Sequence, residues 1–376
     1  MRKRWLQLVA VLCVAALVLA ACGGGSGSSG GSQSGQSGQS GQSSQSGQSG
    51  SSGSSGTSGS SGGGSQQKYT MRIGTPTVSP HPQNFTIEEF KKQIEEKTGG
   101  QITVELYPGS QLGTGPQMIQ GLVDGSIQGV AIPSGYFGQV APAISIIDLP
   151  YFFENSDHAY RVLNGGGDAK LRAYLEERGI IPAAWLRGSD RLILSKKKIE
   201  KMDDFKGLKI WSFPNPIAQA EIESLGASPV NMNPGEVASG LMQGVIDGVA
   251  SDVTFFNGFA LYQSASYVLM APRGAVANTF AVSKKWMDTL PADLQELILT
   301  TAKDIVENLQ YDYLGQVQDK SWENMKANGV EQLEPSAEFL AAMREASKAV
   351  HDKYLGSDPQ AKEIYNDLKE WAEKTK

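Results

Sequence analysis

The sequence predicts a two-lobed α/β protein that follows an export signal and a disordered linker. Three observations lead to this prediction. Strand and helix patterns alternate from about residue 69 to about residue 283, as in α/β sheets that bind ligands at the carboxyl ends of their strands. A helix–glycine–strand motif occurs twice in the same region. Residues 68–376 are also long enough to build two lobes of about 150 residues each.

The amino terminus has the form of a bacterial lipoprotein signal. Basic residues at positions 2–4 precede an apolar run that is shorter than the roughly 20 residues of a membrane-spanning helix. The run ends in Leu-Ala-Ala-Cys22, which resembles a lipobox and implies cleavage before Cys22 and acylation of its thiol. We therefore predict a signal peptide over 1–21 and a lipid anchor on the outer face of the cell membrane. The alternative is an ordinary export signal.

Residues 22–67 are predicted to form a disordered tether. After Cys22 they contain only Gly, Ser, Gln and one Thr, which offer nothing that burial could stabilise. A chain of this kind has a reach of about 35–40 Å, which suits the thick envelope of a Gram-positive bacterium. The body after Cys22 has no cysteine, so disulfides and thiolate chemistry are excluded there. A formal net charge of −6 makes nucleic acid a poor partner.

The body begins with alternating strands and helices. The spacing of apolar residues predicts a strand over Tyr69–Gly74 and a strand from Ile102 to Pro108. Between them it predicts a helix that begins at the capping box Thr86–Glu89 and ends before Gly99. From Pro291 the pattern is helical to about residue 328, and two more helices follow.

An internal repeat favours two similar lobes. Gly121–Ala131 and Gly240–Ala250 are identical at seven of eleven positions, and each reads as a helix end, a glycine turn and a buried strand. Helix–glycine–strand junctions resemble one another for general physical reasons, but two equivalent lobes explain the match better. Ser134 and Ser251-Asp252 would then follow equivalent strands and face a cleft between the lobes.

Short motifs at helix ends, turns and strand ends follow one another along the body. They are Glu96-Lys-Thr-Gly-Gly100, Val104-Glu-Leu-Tyr-Pro-Gly-Ser-Gln-Leu-Gly113, Asp148-Leu-Pro-Tyr-Phe-Phe153, Phe205-Lys-Gly-Leu-Lys-Ile210, Leu225-Gly-Ala-Ser-Pro229, Gly244-Val-Ile-Asp-Gly248 and Leu290-Pro-Ala-Asp-Leu-Gln295. Each is weak alone. In this order and spacing, over essentially all of 69–370, the chain resembles the extracytoplasmic solute-binding protein of tripartite ATP-independent periplasmic (TRAP) transporters.

This resemblance implies a periplasmic-binding-protein-like fold, in which crossing strands join two α/β lobes and a long helix bridges them. It implies that the lobes close on a small solute and that the protein delivers this solute to a TRAP permease, which an ion gradient drives without ATP. We predict lobe I over 68–188 and 279–315, and lobe II over 189–278 and 316–376. No cofactor and no metal are expected.

The resemblance also indicates which residues bind the ligand, and here the chain departs from the family pattern. After Lys-Gly-Leu-Lys-Ile the family typically has an arginine that clamps a carboxylate, whereas this chain has Trp211. A second family arginine aligns with Asp190, and Arg191 is next to it. We therefore expect a cationic, aromatic or polyhydroxylated ligand that stacks on Trp211. The alternative is that Trp211 packs in the core while Arg187 or Arg191 binds a carboxylate.

Further candidate ligand contacts follow the strand ends of both lobes. They are Thr75, Ser134, Tyr136, Ser251, Asp252, Phe255 and Asn278. Asp252 has an alternative role as the cap of a helix that starts near Thr254. Hinges are expected near Leu186–Asp190 and Asn278–Phe280.

Two other classes of function remain open. One is a surface protein that presents its ligand to a sensor instead of a permease. The other is a lipid-anchored extracellular enzyme, which is disfavoured because the body shows no nucleophile motif. The three histidines, at 81, 158 and 351, also lack the spacing of metal ligands. We therefore predict a solute-binding protein and not an enzyme.

Overall fold

Two β-sheets with flanking helices form the chain in the computed structural model, which describes residues 67–355 and 359–376. The predicted signal peptide, Cys22 and nearly all of the tether lie outside the described residues. The strands are β1 (Tyr69–Gly74), β2 (Ile102–Tyr107), β3 (Gly129–Pro133), β4 (Ile180–Leu186), β5 (Leu192–Ser195), β6 (Lys209–Trp211), β7 (Ser228–Val230), β8 (Gly248–Ser251), β9 (Tyr267–Leu269), β10 (Asn278–Ser283) and β11 (Glu331–Leu333).

The helices cover both faces of the two sheets. They are α1 (Pro82–Lys97), α2 (Gly115–Asp124), α3 (Ser156–Val162), α4 (Ala169–Glu176), α5 (Pro216–Ser224), α6 (Val237–Gln243), α7 (Val253–Gly258), α8 (Lys284–Met287), α9 (Ala292–Asn308), α10 (Gln310–Ala327), α11 (Ala337–Leu355) and α12 (Pro359–Lys374). Within the described residues, none of these helices combines the length and the apolar character that crossing a membrane requires.

The order of the strands confirms the predicted two-lobed architecture. The first sheet has the order β2-β1-β3-β10-β4, and the second has the order β11-β9-β5-β8-β6-β7. In each sheet three neighbouring strands are parallel, and the strand that returns from the other lobe is antiparallel to them. The chain therefore passes from one sheet to the other twice, once between β4 and β5 and once between β9 and β10.

The two copies of the sequence repeat occupy equivalent places. Helix α2 ends at Gly125 with φ 84° and leads into β3, and α6 ends at Gly244 with φ 77° and leads into β8. These left-handed conformations favour glycine, which explains why both copies carry one there. Strand β3 lies between β1 and β10, and β8 lies between β6 and β5. The residues that follow β3 and β8 therefore leave their sheets at corresponding edges.

Helix α1 begins five residues earlier than the capping box predicted, with His81 and not Thr86 as its N-cap, so that prediction was wrong. Its first residue is Pro82, and the Nδ1 atom of His81 accepts the Gln83 N–H at 3.3 Å. Proline is favoured at this position because its fixed φ suits a helix and its missing N–H would have no partner. Thr86 lies inside the helix, where its hydroxyl donates to the Pro82 carbonyl at 2.9 Å.

The long helical run after Pro291 divides into two helices at Leu309. Helix α9 packs against α1 and β4 of the first lobe, whereas α10 packs against α7 of the second lobe and also against α1 of the first. Helix α12 packs against α3 and the 3-10 helix Pro142–Asp148 of the first lobe, although the predicted lobe limits assign it to lobe II. Those limits stay a prediction.

The two crossing segments, 187–191 and 270–277, run antiparallel and are bonded to each other. The Arg191 N–H donates to the Gly274 carbonyl at 2.8 Å, and the Val276 N–H donates to the Ser189 carbonyl at 3.2 Å. Gly188 touches the second segment so closely that a Cβ atom there would lie 2.3 Å from the Val276 carbonyl oxygen. The expected first hinge overlaps segment 187–191, whereas the expected second hinge lies just after 270–277, inside β10.

The substitution Gly188→Ala should lower the free energy of unfolding by more than about 2 kcal/mol, because a backbone oxygen cannot move aside as a side chain can. Urea unfolding would measure this. The matched control is Gly315→Ala inside α10, where nothing lies within 4 Å of the added Cβ and stability should rise by up to about 1 kcal/mol. Wild-type stability of the Gly188 variant would contradict the close approach.

Candidate functional site

A narrow cavity lies between the lobes, beside the crossing segments. Its volume is about 30 Å³, which is on the order of one or two water molecules, so the lobes are nearly closed. The lining residues come from both lobes and both crossing segments; they are Pro133, Ser134, Gly135, Asp148, Arg191, Ser212, Phe213, Asn215, Ala218, Glu221, Ala250, Val276 and Ala277.

One carboxylate oxygen joins the two lobes at this cavity. The Ser134 hydroxyl, directly after β3, donates to Asp148 Oδ2 at 2.7 Å. Asn215 of the second lobe donates from Nδ2 to the same oxygen at 2.5 Å. Asn215 is fixed because its own Oδ1 caps α5 by accepting the Ile217 N–H at 2.8 Å. Among the described residues nothing bonds to the other oxygen, Asp148 Oδ1.

The buried position changes the acidity of Asp148. Burial raises the pKa of its carboxyl to about 6, because the ionised form loses its hydration. The hydrogen bond from Ser134, the charge of Arg191 and the hydrogen bond from Asn215 lower this pKa by smaller amounts, and Glu221 raises it. Asp148 can therefore hold a proton in mildly acidic solution.

Two buried arginines share one buried carboxylate next to Asp148. Arg191 Nη2 lies 3.1 Å from Glu221 Oε2, and Arg273 Nε lies 3.5 Å from Glu221 Oε1. Arg191 also donates to the carbonyls of Asp148 and Arg273, at 3.2 and 2.9 Å. Burial lowers the pKa of Arg273, and the charge of Glu221 raises it.

Several polar atoms of this cluster have no hydrogen-bond partner within the described part of the chain. They are Arg191 Nε, Glu221 Oε1, and Nε and Nη1 of Arg273. Buried polar atoms almost always have partners in folded proteins. Of these residues, Arg191 and Glu221 lie on the cavity wall, so they can bond to a ligand that enters it.

Trp211 lies beside the cavity and does not line it. Its ring is fully buried and stacks on Phe255 at 5.1 Å, and its Nε1 donates to the Met232 carbonyl at 3.0 Å. Phe213 packs edge-on against Trp211 at 4.8 Å and forms part of the cavity wall. Trp211 and Phe255 therefore pack against Phe213 and are not among the residues that line the cavity. Their role as ligand contacts stays a prediction.

Tyr136 and Phe213 separate the cavity from the outer cleft. Their rings meet edge to face at 5.7 Å, one from each lobe. Phe213 lines the inner cavity, whereas Tyr136 lines an outer space of about 290 Å³ with Thr114, Pro214 and Asn231. The aromatic pair therefore lies between the two spaces.

The two predicted aspartates bond to helix ends. Asp190 accepts the Ser156 N–H at 3.0 Å, and burial raises the pKa of its carboxyl. Asp252 caps α7 by accepting the N–H groups of Thr254 and Phe255 at 2.9 and 3.0 Å, which was its alternative role. Burial lowers the pKa of His81, and the charge of Asp252 raises it by a smaller amount. Their roles as ligand contacts stay predictions.

The remaining predicted residues are buried polar groups near the cavity. Asn278 Oδ1 accepts from Gln83 Nε2 at 2.5 Å, and its Nδ2 donates to the Val276 carbonyl at 2.9 Å. Thr75 is fully buried in a network of side chains at the start of α1. Ser251 is also fully buried, and its hydroxyl has no partner among the described residues.

Of the predicted residues, the structure brings Ser134 and Arg191 to the cavity wall. Sequence reasoning missed Asp148, Phe213, Asn215 and Glu221. Two of these residues could have been found from the sequence. Asp148 opens the motif Asp148–Phe153, and Asn215 precedes Pro216 in a pattern that is typical of a helix start. No local feature marks Glu221.

Two sheets joined by two crossing segments, with a cavity between the lobes, are the architecture of a two-lobed solute-binding protein. Residues 73–357 match the family described as bacterial extracellular solute-binding protein, family 7, and the chain belongs to this family. It is a solute-binding protein of the TRAP type, as the sequence predicted.

Relatives and solved structures agree with this assignment. The C4-dicarboxylate-binding periplasmic protein DctP of Rhodobacter capsulatus is 27% identical over 276 residues, 72% of this chain and 82% of the relative. A TRAP periplasmic solute-binding protein from a Sulfitobacter species, solved with β-D-galacturonate, has a TM-score of 0.76 and 26% identity over 80% of this chain and 99% of its own. One from Desulfovibrio salexigens, solved with orotic acid, has a TM-score of 0.78 and 25% identity over 82% and 100%.

The substitution Asp148→Asn should raise the free energy of unfolding at about pH 8 by up to about 3 kcal/mol. A carboxyl whose pKa is raised to about 6 contributes stability below its unfolded pKa and loses it as the pH rises through about 6. The gain of the variant should therefore shrink as the pH falls from about 6 to about 4. Thermal unfolding across this range, with the exposed Asp304→Asn as control, would measure it. An equal gain at every pH would contradict the raised pKa.

Proposed function

We propose that the protein binds a small organic acid in the cavity between its lobes and delivers it to a TRAP permease. The observation that carries this proposal is the buried guanidinium of Arg191, which lies on the cavity wall with Nε unbonded among the described residues. Guanidinium groups suit carboxylates in charge and in geometry. The proposal takes up the alternative in which Arg191 binds a carboxylate, instead of the ligand that Trp211 led us to expect.

The ligands of related proteins support an acid. Galacturonate, orotic acid and C4-dicarboxylates, which the related proteins above are described as binding, all carry a carboxylate. Arg187, the other arginine considered from the sequence, is held elsewhere. It stacks on Tyr160 and Tyr311 at 3.5 and 4.4 Å and pairs with Asp157 at 2.9 Å. Arg191 is therefore the better candidate.

Opening and closing of the lobes would admit and hold the ligand. The closed cavity is far too small for a sugar acid, so the lobes must separate about segments 187–191 and 270–277. Once inside, the ligand bonds to both lobes only in the closed form, and it therefore shifts the equilibrium toward closure. Because the cavity of this structure is too small for a sugar acid, the lobes of the bound form would stay further apart than they are here, with Trp211 and Phe255 supporting Phe213.

The substitution Arg191→Lys should weaken the binding of D-galacturonate or orotate by about 100-fold, because a lysine keeps the charge and loses the planar fork. Isothermal titration calorimetry on the full chain would measure this, and circular dichroism would check the fold. Arg187→Lys is the matched control, since it makes the same change outside the cavity and should leave affinity within about twofold.

Two results would contradict this assignment. One is wild-type affinity in the Arg191 variant. The other is a loss in Trp211→Phe as large as the loss in Arg191→Lys. That variant keeps a ring against Phe255, so a large loss would return Trp211 to the ligand contacts. Binding of amines or neutral polyols in place of acids would also contradict it, and would favour the cationic or polyhydroxylated ligand that Trp211 led us to expect.

We further propose that a lipid on Cys22 anchors the protein outside the cell and that residues 22–67 tether the body to it. The support is the lipobox and the composition of the tether. In cells that process lipoproteins, Cys22→Ser should abolish incorporation of labelled palmitate and release the protein from membranes. Cys13→Ser, inside the predicted signal, is the control and should retain both. Labelling of the Cys22 variant would refute the anchor.

A further inference from the structure

Four ionisable side chains form one cluster at the cavity: Asp148, Arg191 and Glu221 line it, and Arg273 contacts Glu221. Their charges decide what the cavity can accept. Arg191 and Arg273 carry two positive charges, because guanidinium groups stay protonated in proteins. Glu221 contacts both arginines and supplies one negative charge. Asp148 is the fourth group. When Asp148 is ionised, the cluster is neutral before any ligand enters.

An ionised carboxylate changes this balance when it enters. With Asp148 ionised, three negative charges face two positive ones in a buried site, where an uncompensated charge is costly. With a proton on Asp148, the ligand carboxylate and Glu221 match the two arginines. A ligand with two ionised carboxylates leaves an excess of negative charge in either state.

The hydrogen bonds of Asp148 leave a place for the proton. Ser134 and Asn215 both donate to Oδ2, and in the described residues no group bonds to Oδ1. A proton on Oδ1 therefore breaks no hydrogen bond. It also turns an acceptor on the cavity wall into a donor, which suits a carboxylate or hydroxyl oxygen of the ligand.

We propose that the site binds a monocarboxylate together with one proton, held on Asp148 Oδ1, and discriminates against dicarboxylates. This inference rests on the proposed function, because it requires an acid in the cavity. The proton comes from solvent when the acid binds and returns to solvent when the acid leaves. Because Glu221 already neutralises one of the two arginines, the site can neutralise only one negative charge on the ligand.

Other groups packed around Asp148 do not supply this proton. Tyr136 and Tyr365 lie on elements that contact the 3-10 helix of Asp148, and burial raises the pKa of both hydroxyls, so neither releases a proton near pH 6. His351 of α11 bonds the carbonyl of Pro150, two residues after Asp148, at 2.7 Å. It therefore needs its own control. The pKa of Asp148, about 6, lies in the range where the effect is measurable.

The test measures the affinity of the full chain for D-galacturonate between about pH 5 and about pH 8. The probe stays singly charged throughout, because carboxylic acids titrate near pH 4. Uptake of one proton predicts that affinity falls about tenfold per pH unit above about pH 6 and levels off below it. Calorimetry in buffers of different ionisation enthalpy counts the protons directly. Succinate at about pH 8 serves as the doubly charged probe and should bind at least about tenfold more weakly.

Variants separate Asp148 from other sources of pH dependence. Asp148→Asn should make galacturonate binding independent of pH, because its carbonyl can accept both hydrogen bonds and its amide replaces the protonated Oδ1. Glu221→Gln should also remove the pH dependence, since an ionised Asp148 then no longer leaves excess negative charge. It should strengthen succinate binding as well. His351→Gln is the control and should keep the wild-type pH profile.

The outcomes distinguish this inference from the proposed function. If neither galacturonate nor orotate binds at any pH, both are overturned. If an acid binds with a flat pH profile and no proton uptake, the proposed function stands and the proton coupling is refuted. A pH profile that survives in Asp148→Asn and disappears in His351→Gln would also refute it, as would succinate binding tighter than galacturonate.

Discussion

The pairing of the two crossing segments is the constraint on which the rest of the structure depends. Segments 187–191 and 270–277 join the sheets, and their mutual hydrogen bonds make them one narrow ribbon. Because Gly188 lies against the Val276 carbonyl, the ribbon has no room for a larger residue there. Arg191 and Arg273 lie on it, so the same pairing that holds the lobes together also places both positive charges beside the cavity.

The charged cluster connects this ribbon to both lobes. Asp148 comes from the first lobe, Asn215 and Glu221 come from α5 of the second, and Arg191 contacts Asp148 and Glu221. Lobe closure therefore assembles the site, and a separated pair of lobes would divide it. The aromatic contact between Tyr136 and Phe213 makes the outer boundary of the same site.

Local features of the sequence predicted the architecture, and distant contacts decided the site. Strand spacing and the glycine repeat depend on neighbouring residues, so both could be predicted. The capping box at Thr86 failed because Pro82, with His81 as its cap, starts the helix earlier. Strand alternation cannot tell whether Trp211 faces the cleft or the core, which left two alternatives open. Glu221 was missed because only the folded chain brings it next to Arg191 and Arg273.

The unpaired polar atoms of the cluster have a consequence for the efficiency of transport. A buried polar atom without a hydrogen-bond partner costs about 1–3 kcal/mol, and Arg191 and Glu221, which line the cavity, each carry such an atom among the described residues. Under the proposed function, an acid that bonds to these atoms would remove part of this cost only where the lobes lie close together, so binding would favour the closed form. A permease that recognises the closed shape would then meet few empty carriers, and few of its encounters would be futile.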